Sequence, residues 1–335
     1  MEWRIGQDDS GLEIKEYIRR NISLSQRQLR RLKQEQNGIL VNGKRENVRY
    51  VLHAGDCLNL PLDEVPEKAL SPVPVPMPVE VLYEDRAVLV VNKPAGMPTH
   101  PSLHHYDDTL ANALAYRAGQ SGLPFVFHPI TRLDSNTSGV LLTAKTQFFA
   151  SRLSVFLQSE RLSKCYLALA CGQNDAPAGK PHLLESFLTR TGESIIRRRI
   201  ARPGEPGADY ALTAWTSLAT KNTPEGPLTL LMAFPVTGRT HQLRVHFAAI
   251  GLPLLGDTLY GQASDLIGRQ ALHAYSLQFP HPEDERPMRV IAPPAPDFKA
   301  VLDLYFPDVP LPEPTLPSEG FLYDAIPDSS DQSAP

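Results

Sequence analysis

Short apolar runs dominate the chain from about residue 80 onward. Residues 87–91 and 140–142 are continuously apolar, which is typical of strands buried in a sheet. Further strand-like runs cover residues 79–83, 166–170 and 228–234. Thr146 is expected to cap a helix whose apolar stripe is formed by Phe149, Leu153, Phe156 and Leu157. Because long helices are few and no βαβ rhythm is present, the pattern predicts an α+β domain over residues 80–307, built on an antiparallel or mixed sheet.

Residues 11–60 show a different and more compact pattern. Two short amphipathic helices are predicted there, and the second carries Arg27, Arg30 and Arg31 on one face. Asn42-Gly43 follows one strand-like run and precedes another, so it predicts a tight hairpin turn. Arginines on a single helix usually form a solvated face. On their own they do not establish a binding surface.

Three segments differ in composition from the predicted domains. Residues 61–79 are rich in proline and valine, which predicts an extended and fairly stiff linker. Residues 308–335 form an acidic tail rich in proline and serine, which is expected to be disordered or to lie on the surface. Residues 174–207 are rich in Arg, Pro and Gly and are expected to form an excursion from the main domain.

The net charge of −4 hides an uneven distribution of charge. Residues 11–60 carry ten Lys and Arg against five Asp and Glu, a net charge of +5. Residues 301–335 carry seven acidic residues and no Lys or Arg, a net charge of −7. Because a local basic patch is sufficient to attract phosphate groups, this distribution is compatible with a nucleic-acid partner.

The composition, 42% hydrophobic and 21% charged residues, is ordinary for a soluble globular enzyme. No uninterrupted apolar stretch approaches the roughly 20 residues that span a bilayer. Residues 1–10 are too polar and acidic for a secretory signal. Cys57, Cys165 and Cys171 cannot all pair, and their spacing lacks the Cys-x-x-Cys pattern of a metal site. The sequence therefore predicts a cytoplasmic protein with unpaired thiols and no metal site.

The richest candidate site lies in residues 128–139, a polar loop that leads into the apolar run 140–142. Catalytic groups favour loops that are held by a rigid scaffold, which makes Asp134 a candidate catalytic carboxylate. From spacing alone, Asp134 is better explained as a turn or capping residue, because Asp, Ser, Asn and Thr follow one another here. Both interpretations stay open at this point.

A second polar cluster spans residues 237–246 and contains Arg239, His241, Arg244 and His246. In a strand these four side chains would be divided between two faces. In a helix, Gln242 and His246 would share a face. The two histidines lie five residues apart with no acidic residue between them, which does not suit a metal site. A hydrogen-bonded structural role is the better interpretation of either histidine.

Four segments resemble, in order, pseudouridine synthases of the RluA/RluD family: YEDRAVLVVNKPAGMPTHP, RLDSNTSGVLLTAKT, KCYLAL and TGRTHQLRVHFAAIGLPLLGDTLYG. The resemblance covers nearly all of residues 80–300 and implies a mixed, mostly antiparallel sheet whose central cleft holds RNA. The helix–helix–hairpin order of residues 11–60 resembles the small RNA-binding domain named after a ribosomal small-subunit protein, which a subset of the family carries. The resemblance implies an RNA uridine isomerase that needs no metal, nucleotide or organic cofactor.

The resemblance also implies roles for individual residues. Asp134 corresponds to the family's catalytic aspartate, which must be ionised to act as a nucleophile or to assist elimination at the ribose. Arg244 corresponds to the arginine that pairs with this carboxylate, and its planar fork suits bidentate pairing. Tyr166 corresponds to the tyrosine that stacks on the target base and is a candidate for removing the carbon-five proton.

Other basic residues are expected to contact the RNA. The target uridine must leave its stack, and Arg132 corresponds to a family arginine that inserts into the RNA or contacts its phosphates. In an extended segment Arg132 and Asp134 point to the same side. Lys93 and Arg239 are expected phosphate contacts, with surface charge as the alternative for each. In the amino-terminal domain the expected contacts are Arg27, Arg30 and Arg31.

One position departs from the family pattern. Many members have histidine before Arg-Leu-Asp, whereas this chain has Thr131, with His128 three residues earlier. The subgroup and the RNA target are therefore left open, with large-subunit ribosomal RNA as the first expectation and transfer RNA as the alternative. A monomer is expected.

Two further functions compete with uridine isomerisation. A non-catalytic RNA-binding or ribosome-assembly factor would retain the fold, but Asp134, Tyr166 and Arg244 are all present. A hydrolase with Asp134 and His241 as acid and base lacks an identifiable set of nucleophile, base and orienting group. The preferred prediction is an RNA pseudouridine synthase.

Overall fold

The computed structural model describes residues 1–22, 24, 26–62, 72–122, 125–174, 178–192, 194–311 and 313, with the backbone alone at residues 27 and 195. The strands in this part of the chain form a small sheet near the amino terminus and a large sheet that follows it. Residues 63–71 of the predicted linker lie outside the described residues, as do residues 314–335 of the tail, on which most of the disorder prediction falls.

The small sheet and two α-helices form the amino-terminal module, which we define as residues 1–62 and which also contains a 3-10 turn at Gln7–Asp9 and a π-helical turn at Ile18–Ile22. Its elements are β1 (Glu2–Arg4), α1 (Ile14–Tyr17), α2 (Gln26–Gln34), β2 (Leu40–Val41), β3 (Lys44–Arg45) and β4 (Cys57–Asn59). The predicted hairpin is confirmed, because Asn42 and Gly43 join β2 to β3 with φ angles of 51° and 77°. β1 lies before the expected start at residue 11 and pairs antiparallel with β4.

The large sheet occupies most of the remaining chain. Its strands are β5 (Glu80–Glu84), β6 (Val88–Lys93), β7 (His128–Pro129), β8 (Ser138–Ala144), β9 (Ser163–Cys171), β10 (His182–Thr191), β11 (Ser194–Ile200), β12 (Asp209–Thr223), β13 (Gly226–Pro235), β14 (Leu272–Pro280) and β15 (Pro287–Ile291). The accompanying helices are α3 (Leu110–Gln120), α4 (Gln147–Gln158), α5 (Gln242–Ala249) and α6 (Pro296–Tyr305).

Among the described residues the strand order is β11-β10-β12-β13-β9-β14-β8-β6-β5, with β15 paired to β14 and β7 paired to β8. β14 and β8 run parallel, whereas the other pairs of this sheet run antiparallel. The prediction of an α+β fold on a mixed, mostly antiparallel sheet is confirmed.

The loop with the candidate carboxylate enters the sheet where β8 meets β14. Ser138 and Gly139 pair there with His273 and Ala274. Gly139 has a φ of 115°, and a Cβ atom at this position would collide with the backbone of Ala274. Only glycine allows β8 to begin so close to β14, so this residue fixes where the loop ends.

The predicted helix after β8 is also confirmed. The hydroxyl group of Thr146 accepts a hydrogen bond from the backbone N–H of Phe149 at 3.3 Å and so caps α4. Phe149, Leu153 and Phe156 are buried on one side of the helix. This side packs into the core between α4 and the sheet.

The amino-terminal module shares its core with this part of the large sheet. One continuous apolar cluster contains Ile14, Ile22 and Leu32 of the module together with the phenylalanines at the start of α4. The rings of Trp3 and Phe148 lie edge to face, with their centres 6.3 Å apart. Separating the module from the sheet would therefore expose apolar surface on both.

Residues 174–207, expected to be an excursion, mostly extend the sheet. β10 and β11 form an antiparallel hairpin in which Leu188 faces Ile200 and Arg190 faces Arg198. β10 also pairs with β12, so the hairpin is the edge of the large sheet. The described part of the predicted linker, residues 72–79, lies on α3, where the side chain of Asn112 donates to the carbonyl of Val73 at 2.8 Å.

Two buried histidines make the stability of this fold depend on pH. Burial lowers the pKa of His246 and of His273 from 6.5 to about 4. Between these values the unfolded chain binds protons that the folded chain does not. Stability is therefore lost as the pH falls from 6.5 to 4, by about 3 kcal/mol for each histidine. The free energy of unfolding is measured with urea near pH 7 and near pH 4. Its decrease between the two pH values is expected to be smaller for His246→Gln than for the wild type, and equal decreases would contradict this.

Candidate active site

A cleft of about 810 Å³ opens beside the central strands of the large sheet. Five of the predicted site residues line it, although they are far apart in the sequence: Arg132, Asp134, Tyr166, Arg239 and Arg244. The other charged residues of its described lining are Lys164 and Glu160. Basic side chains therefore outnumber acidic ones in the cleft, which suits a polyanionic ligand such as RNA.

Asp134 combines a turn position with an accessible carboxylate. Its backbone carbonyl accepts a hydrogen bond from the N–H of Thr137 at 3.0 Å. Its side chain is 30% exposed and faces Nη1 of Arg244 at 3.5 Å and Nε2 of His241 at 3.8 Å. The two interpretations of Asp134 are compatible, because the backbone forms the turn while the side chain faces the cleft.

The planar fork of Arg244 is used by a different carboxylate from the one expected. Nε and Nη2 donate to the two oxygens of Asp257 at 2.7 and 2.8 Å. Nη1 is the nitrogen that faces Asp134. The predicted bidentate pairing with Asp134 is therefore wrong, since Arg244 bridges two carboxylates. The side chain of Arg244 is 9% exposed and that of Asp257 is fully buried, so water competes little for this pair.

Asp257 is a site residue that the sequence interpretation missed. It follows Gly256, which has a φ of 70° and at which a Cβ atom would collide with neighbouring carbonyl groups. The backbone N–H groups of Leu259 and Tyr260 donate to its Oδ1 at 3.1 and 3.2 Å. The only sequence signal is one acidic residue in the run LGDTLYG, and its importance becomes visible once Arg244 is known to be its partner.

The segment 237–246 is helical from Gln242 onward, so the helical alternative is correct for that part. The side-chain amide of Gln242 forms hydrogen bonds of 2.7 to 3.0 Å with Leu212, Thr213, Thr237 and the backbone of Arg239. These bonds tie the start of α5 to the preceding loop and to β12. The helix then buries His246 between the hydroxyl groups of Ser186 and Thr213, at 2.9 and 3.0 Å.

Tyr166 and Lys164 lie two residues apart on β9 and both reach the cleft. Burial, followed by the nearby carboxylate of Asp134, raises the pKa of Tyr166 above its ordinary value. The phenol therefore stays protonated at neutral pH, which disfavours it as a base and leaves its ring available for stacking. Burial lowers the pKa of Lys164 to about 8, and its Nζ donates to the carbonyl of Thr237 at 3.4 Å.

Thr131, at the position where the family resemblance predicts a histidine, anchors the loop to the sheet. Its side chain is buried, and its Oγ1 accepts a hydrogen bond from the N–H of Leu142 in β8 at 3.0 Å. His128 lies in β7, where it faces Ala144 of β8 and is half-buried. Thr131 thus holds the start of the loop that contains Asp134.

The two cleft arginines outside the immediate surroundings of Asp134 differ in their contacts. Arg132 is exposed at the wall of the cleft. The side chain of Arg239 is 42% exposed, its Nε donates to the carbonyl of Tyr210 at 2.8 Å, and its Nη1 lies 3.8 Å from Asp209. Arg239 is therefore partly engaged within the protein.

Arg30 and Arg31 of α2 lie in the module and are not part of the described lining of the cleft. Arg30 is exposed. Arg31 is half-buried, since its Nη2 donates to the carbonyl of Pro61 at 3.2 Å and its Nε lies 3.3 Å from Glu35. The side chain of Arg27 lies outside the described part of the chain.

Lys93, expected to contact phosphate, is fully buried instead. Its Nζ donates to the carbonyls of Pro94, Met97 and Ser135 at 2.8, 2.8 and 2.9 Å. Burial lowers the pKa of Lys93 to about 7, while the three acceptors match the three donors of the ammonium form. The phosphate prediction is corrected: Lys93 joins the loop after β6 to the residue that follows Asp134.

Lys93→Met is expected to lower the free energy of unfolding by about 3 kcal/mol, because the three hydrogen bonds of a buried ammonium group are lost. Urea unfolding measures this loss. Lys299→Met is the matched control, since Lys299 is 58% exposed and pairs with Asp303 on the surface. Its loss is expected to stay below about 0.5 kcal/mol, and equal losses for the two variants would show that Lys93 does not hold the loop.

Within the described residues, no three His, Cys, Asp or Glu side chains are grouped so that they could hold a metal ion. None of the helices described is both long and apolar enough to cross a membrane. Cys57, Cys165 and Cys171 are free thiols.

Comparison with known proteins shows that the chain is similar to RNA pseudouridine synthases. A family model described as RNA pseudouridylate synthase matches residues 87–249. The uncharacterised RNA pseudouridine synthase YjbO of Bacillus subtilis (strain 168) is 34% identical over 284 residues, which are 84% of this chain and 95% of that protein. Ribosomal large subunit pseudouridine synthase C of Pasteurella multocida (strain Pm70) is 31% identical over 319 residues, 89% of this chain and 91% of that protein.

A third relative and one solved structure agree with these matches. Ribosomal large subunit pseudouridine synthase D of Zymomonas mobilis (strain ZM4) is 37% identical over 222 residues, 62% of this chain and 67% of that protein. The structure of human RNA pseudouridylate synthase domain containing 1 has a TM-score of 0.57 at 28% identity and covers 75% of this chain and 96% of that chain. The matched family segment includes Asp134, Tyr166 and Arg244 but ends before Asp257.

Proposed function

Because the chain belongs to the RNA pseudouridylate synthase family and acts as a pseudouridine synthase on RNA, we propose that Asp134 is its catalytic carboxylate. The observation that carries the proposal is the position of this side chain, accessible within a cationic cleft and 3.5 Å from Arg244. The reaction must break the N-glycosidic bond, turn the uracil and rejoin it through carbon five. An ionised carboxylate can do this as a nucleophile on the ribose or the base, or by assisting elimination at the ribose.

The neighbours of Asp134 support this role. Nη1 of Arg244 faces the carboxylate at 3.5 Å, while Asp257 holds the rest of the guanidinium in place. Tyr166 stacks on the uracil, and its protonated phenol makes Asp134 the better acceptor for the carbon-five proton. Arg132, exposed at the wall of the cleft, contacts the RNA where the target nucleotide has left its stack.

The amino-terminal module adds RNA contacts in this proposal. It is joined to the large sheet by a shared core, so Arg30 on its surface keeps a defined place relative to the cleft. Arg31 contributes less, because Glu35 and Pro61 already engage it. Arg239 is a phosphate contact at the rim of the cleft. Weaker RNA binding by Arg30→Gln at low salt, with an unchanged kcat, would support this role of the module.

Large-subunit ribosomal RNA is the proposed substrate, since two relatives are named ribosomal large subunit pseudouridine synthases. Pseudouridines are mapped in total RNA from three strains: one with the wild-type chain, one that lacks the chain, and one in which Asp134→Asn is the only form of the chain. A large-subunit position that is lost without the chain and restored by the wild type alone supports the proposal. A position lost in transfer RNA instead would replace the proposed substrate, and unchanged RNA in all three strains would contradict the function.

The competing functions give different results in the same strains. A ribosome-assembly factor needs RNA binding only, so Asp134→Asn would restore ribosome assembly as well as the wild type does. A hydrolase would cleave a bond in its substrate, whereas isomerisation leaves the mass of the RNA unchanged. Purified protein incubated with RNA and analysed by mass and by pseudouridine content separates these possibilities.

A further inference from the structure

Tyr260 contacts three groups beside the cleft: the backbone of Arg198 and the side chains of His241 and Arg244. Its hydroxyl oxygen accepts a hydrogen bond from the backbone N–H of Arg198 in β11 at 2.8 Å and lies 2.9 Å from Nδ1 of His241. The guanidinium of Arg244 lies 5.1 Å from the centre of its ring. Tyr260 therefore contacts both of the residues whose side chains face the Asp134 carboxylate.

His241 is held in an unusual backbone conformation. Its φ of 58° and ψ of 18° lie in the left-handed region, which is costly for a residue other than glycine and is concentrated at functional sites. The conformation places Nε2 at 3.8 Å from Oδ2 of Asp134 and Nδ1 against Tyr260. Burial lowers the pKa of His241 below its ordinary value, so the imidazole is neutral at neutral pH.

A neutral imidazole has one N–H group. In His241, the neighbours of the two ring nitrogens, Asp134 and Tyr260, decide which nitrogen holds the proton. An ionised carboxylate only accepts hydrogen bonds, so a proton on Nε2, the nitrogen facing Asp134, is favoured. Nδ1 is then an acceptor. Tyr260 is suited to be its donor, because the tyrosine oxygen already accepts from Arg198 and its own O–H is available.

We propose that Tyr260 is a positioning residue whose hydroxyl group donates to Nδ1 of His241 and so fixes an Nε2–H donor toward Asp134. This donor and Nη1 of Arg244 approach the same carboxylate oxygen, at 3.8 and 3.5 Å, and together orient the carboxylate within the cleft. Two further charged groups act on His241: Arg198 disfavours protonation of the imidazole, and Asp257 favours it. The inference rests on the proposed role of Asp134.

Tyr260→Phe removes the hydroxyl group and keeps the ring. On an RNA in which the wild type forms pseudouridine, we expect kcat to fall about fivefold, with KM changed by less than about twofold. The matched control is Tyr83→Phe, because the Tyr83 hydroxyl donates to Asp85 at 2.8 Å and accepts from Arg286 at 3.1 Å, outside the cleft. The control is expected to keep the wild-type kcat.

A second variant separates positioning from a general loss of structure. His241→Asn retains a side chain that tolerates the left-handed conformation. If Tyr260 acts through His241, adding Tyr260→Phe to this variant lowers kcat by less than about twofold, because the partner is already absent. A fivefold loss in both backgrounds would instead overturn the inference.

Nitrogen NMR of the histidine rings tests the hydrogen bond without any turnover. The His241 signals are assigned by their loss in His241→Asn. We expect an Nε2–H tautomer in the wild type and a higher pKa of His241 in Tyr260→Phe, since a donor to Nδ1 favours the neutral imidazole. An Nδ1–H tautomer would overturn the inference even if the enzyme is active. A wild type that forms no pseudouridine would refute the proposed function. The tautomer of His241 would still show whether Tyr260 donates a hydrogen bond to Nδ1.

Discussion

Asp134→Asn is expected to lower the rate of pseudouridine formation by a factor on the order of a thousand or more, because the amide is neither a nucleophile nor a base. Asparagine has nearly the size of aspartate, so the turn formed by the backbone carbonyl with Thr137 is retained. The rate is measured by the release of tritium from carbon five of uridine in RNA and by direct detection of pseudouridine.

The RNA affinity of Asp134→Asn is expected to equal or exceed that of the wild type, because a negative charge is removed from a cationic cleft. The free energy of unfolding is expected to change little, since the side chain is 30% exposed and its neighbours Arg244 and His241 lie 3.5 and 3.8 Å away. Asp265→Asn, which changes an exposed carboxylate outside the cleft, is the matched control and is expected to keep full activity. Wild-type turnover by Asp134→Asn would exclude Asp134 as the catalytic carboxylate.

Features with local causes could be predicted from the sequence. The cap of α4 depends on Thr146 and a backbone N–H three residues later. The hairpin between β2 and β3 depends on Asn42 and Gly43, which accept positive φ angles at low cost. In both cases the residues that cause the structure lie within one turn of chain, so a single sequence contains the whole signal.

The arrangement around Asp134 could not be predicted in this way. Asp257 pairs with Arg244 across 13 positions of the chain, and Lys93 binds the carbonyl of Ser135 across 42. A charged residue is normally exposed, so burial of either one is visible only when its partners are known. The strand-or-helix ambiguity of residues 240–246 has the same origin, because bonds from Gln242 to β12 decide it.

The resemblance to a family predicted the roles of individual site residues, which the spacing of residues could not. It did not predict their contacts. It brought Arg244 and Asp134 together, and the structure places both in one cleft. It did not indicate that two of the three guanidinium nitrogens serve Asp257. The orientation of Arg244 is therefore a property of the fold around it, and its consequences for catalysis can be tested at Asp257.

Asp257→Asn is expected to lower both the stability of the protein and its turnover. Asparagine can still accept from the backbone N–H groups of Leu259 and Tyr260, but the buried guanidinium of Arg244 loses its charged partner. Removing one member of a buried ion pair costs about 3 kcal/mol. The freed guanidinium can also turn toward Asp134 and occupy the carboxylate, so kcat is expected to fall about tenfold. Urea unfolding gives the first quantity, and pseudouridine formation at a temperature where the variant is folded gives the second.

Asp85→Asn separates the two effects, because Asp85 is also tied into the fold but lies outside the cleft. It accepts from the backbone N–H groups of Ala87 and Val88 at 2.8 and 2.9 Å and faces Nε2 of His281 at 2.8 Å. This variant is expected to lose stability while each folded molecule keeps the wild-type kcat. A loss of kcat requires the guanidinium of Arg244 to change its position relative to the Asp134 carboxylate. If Asp257→Asn loses stability but keeps the wild-type kcat, Asp257 supports the fold without orienting Arg244.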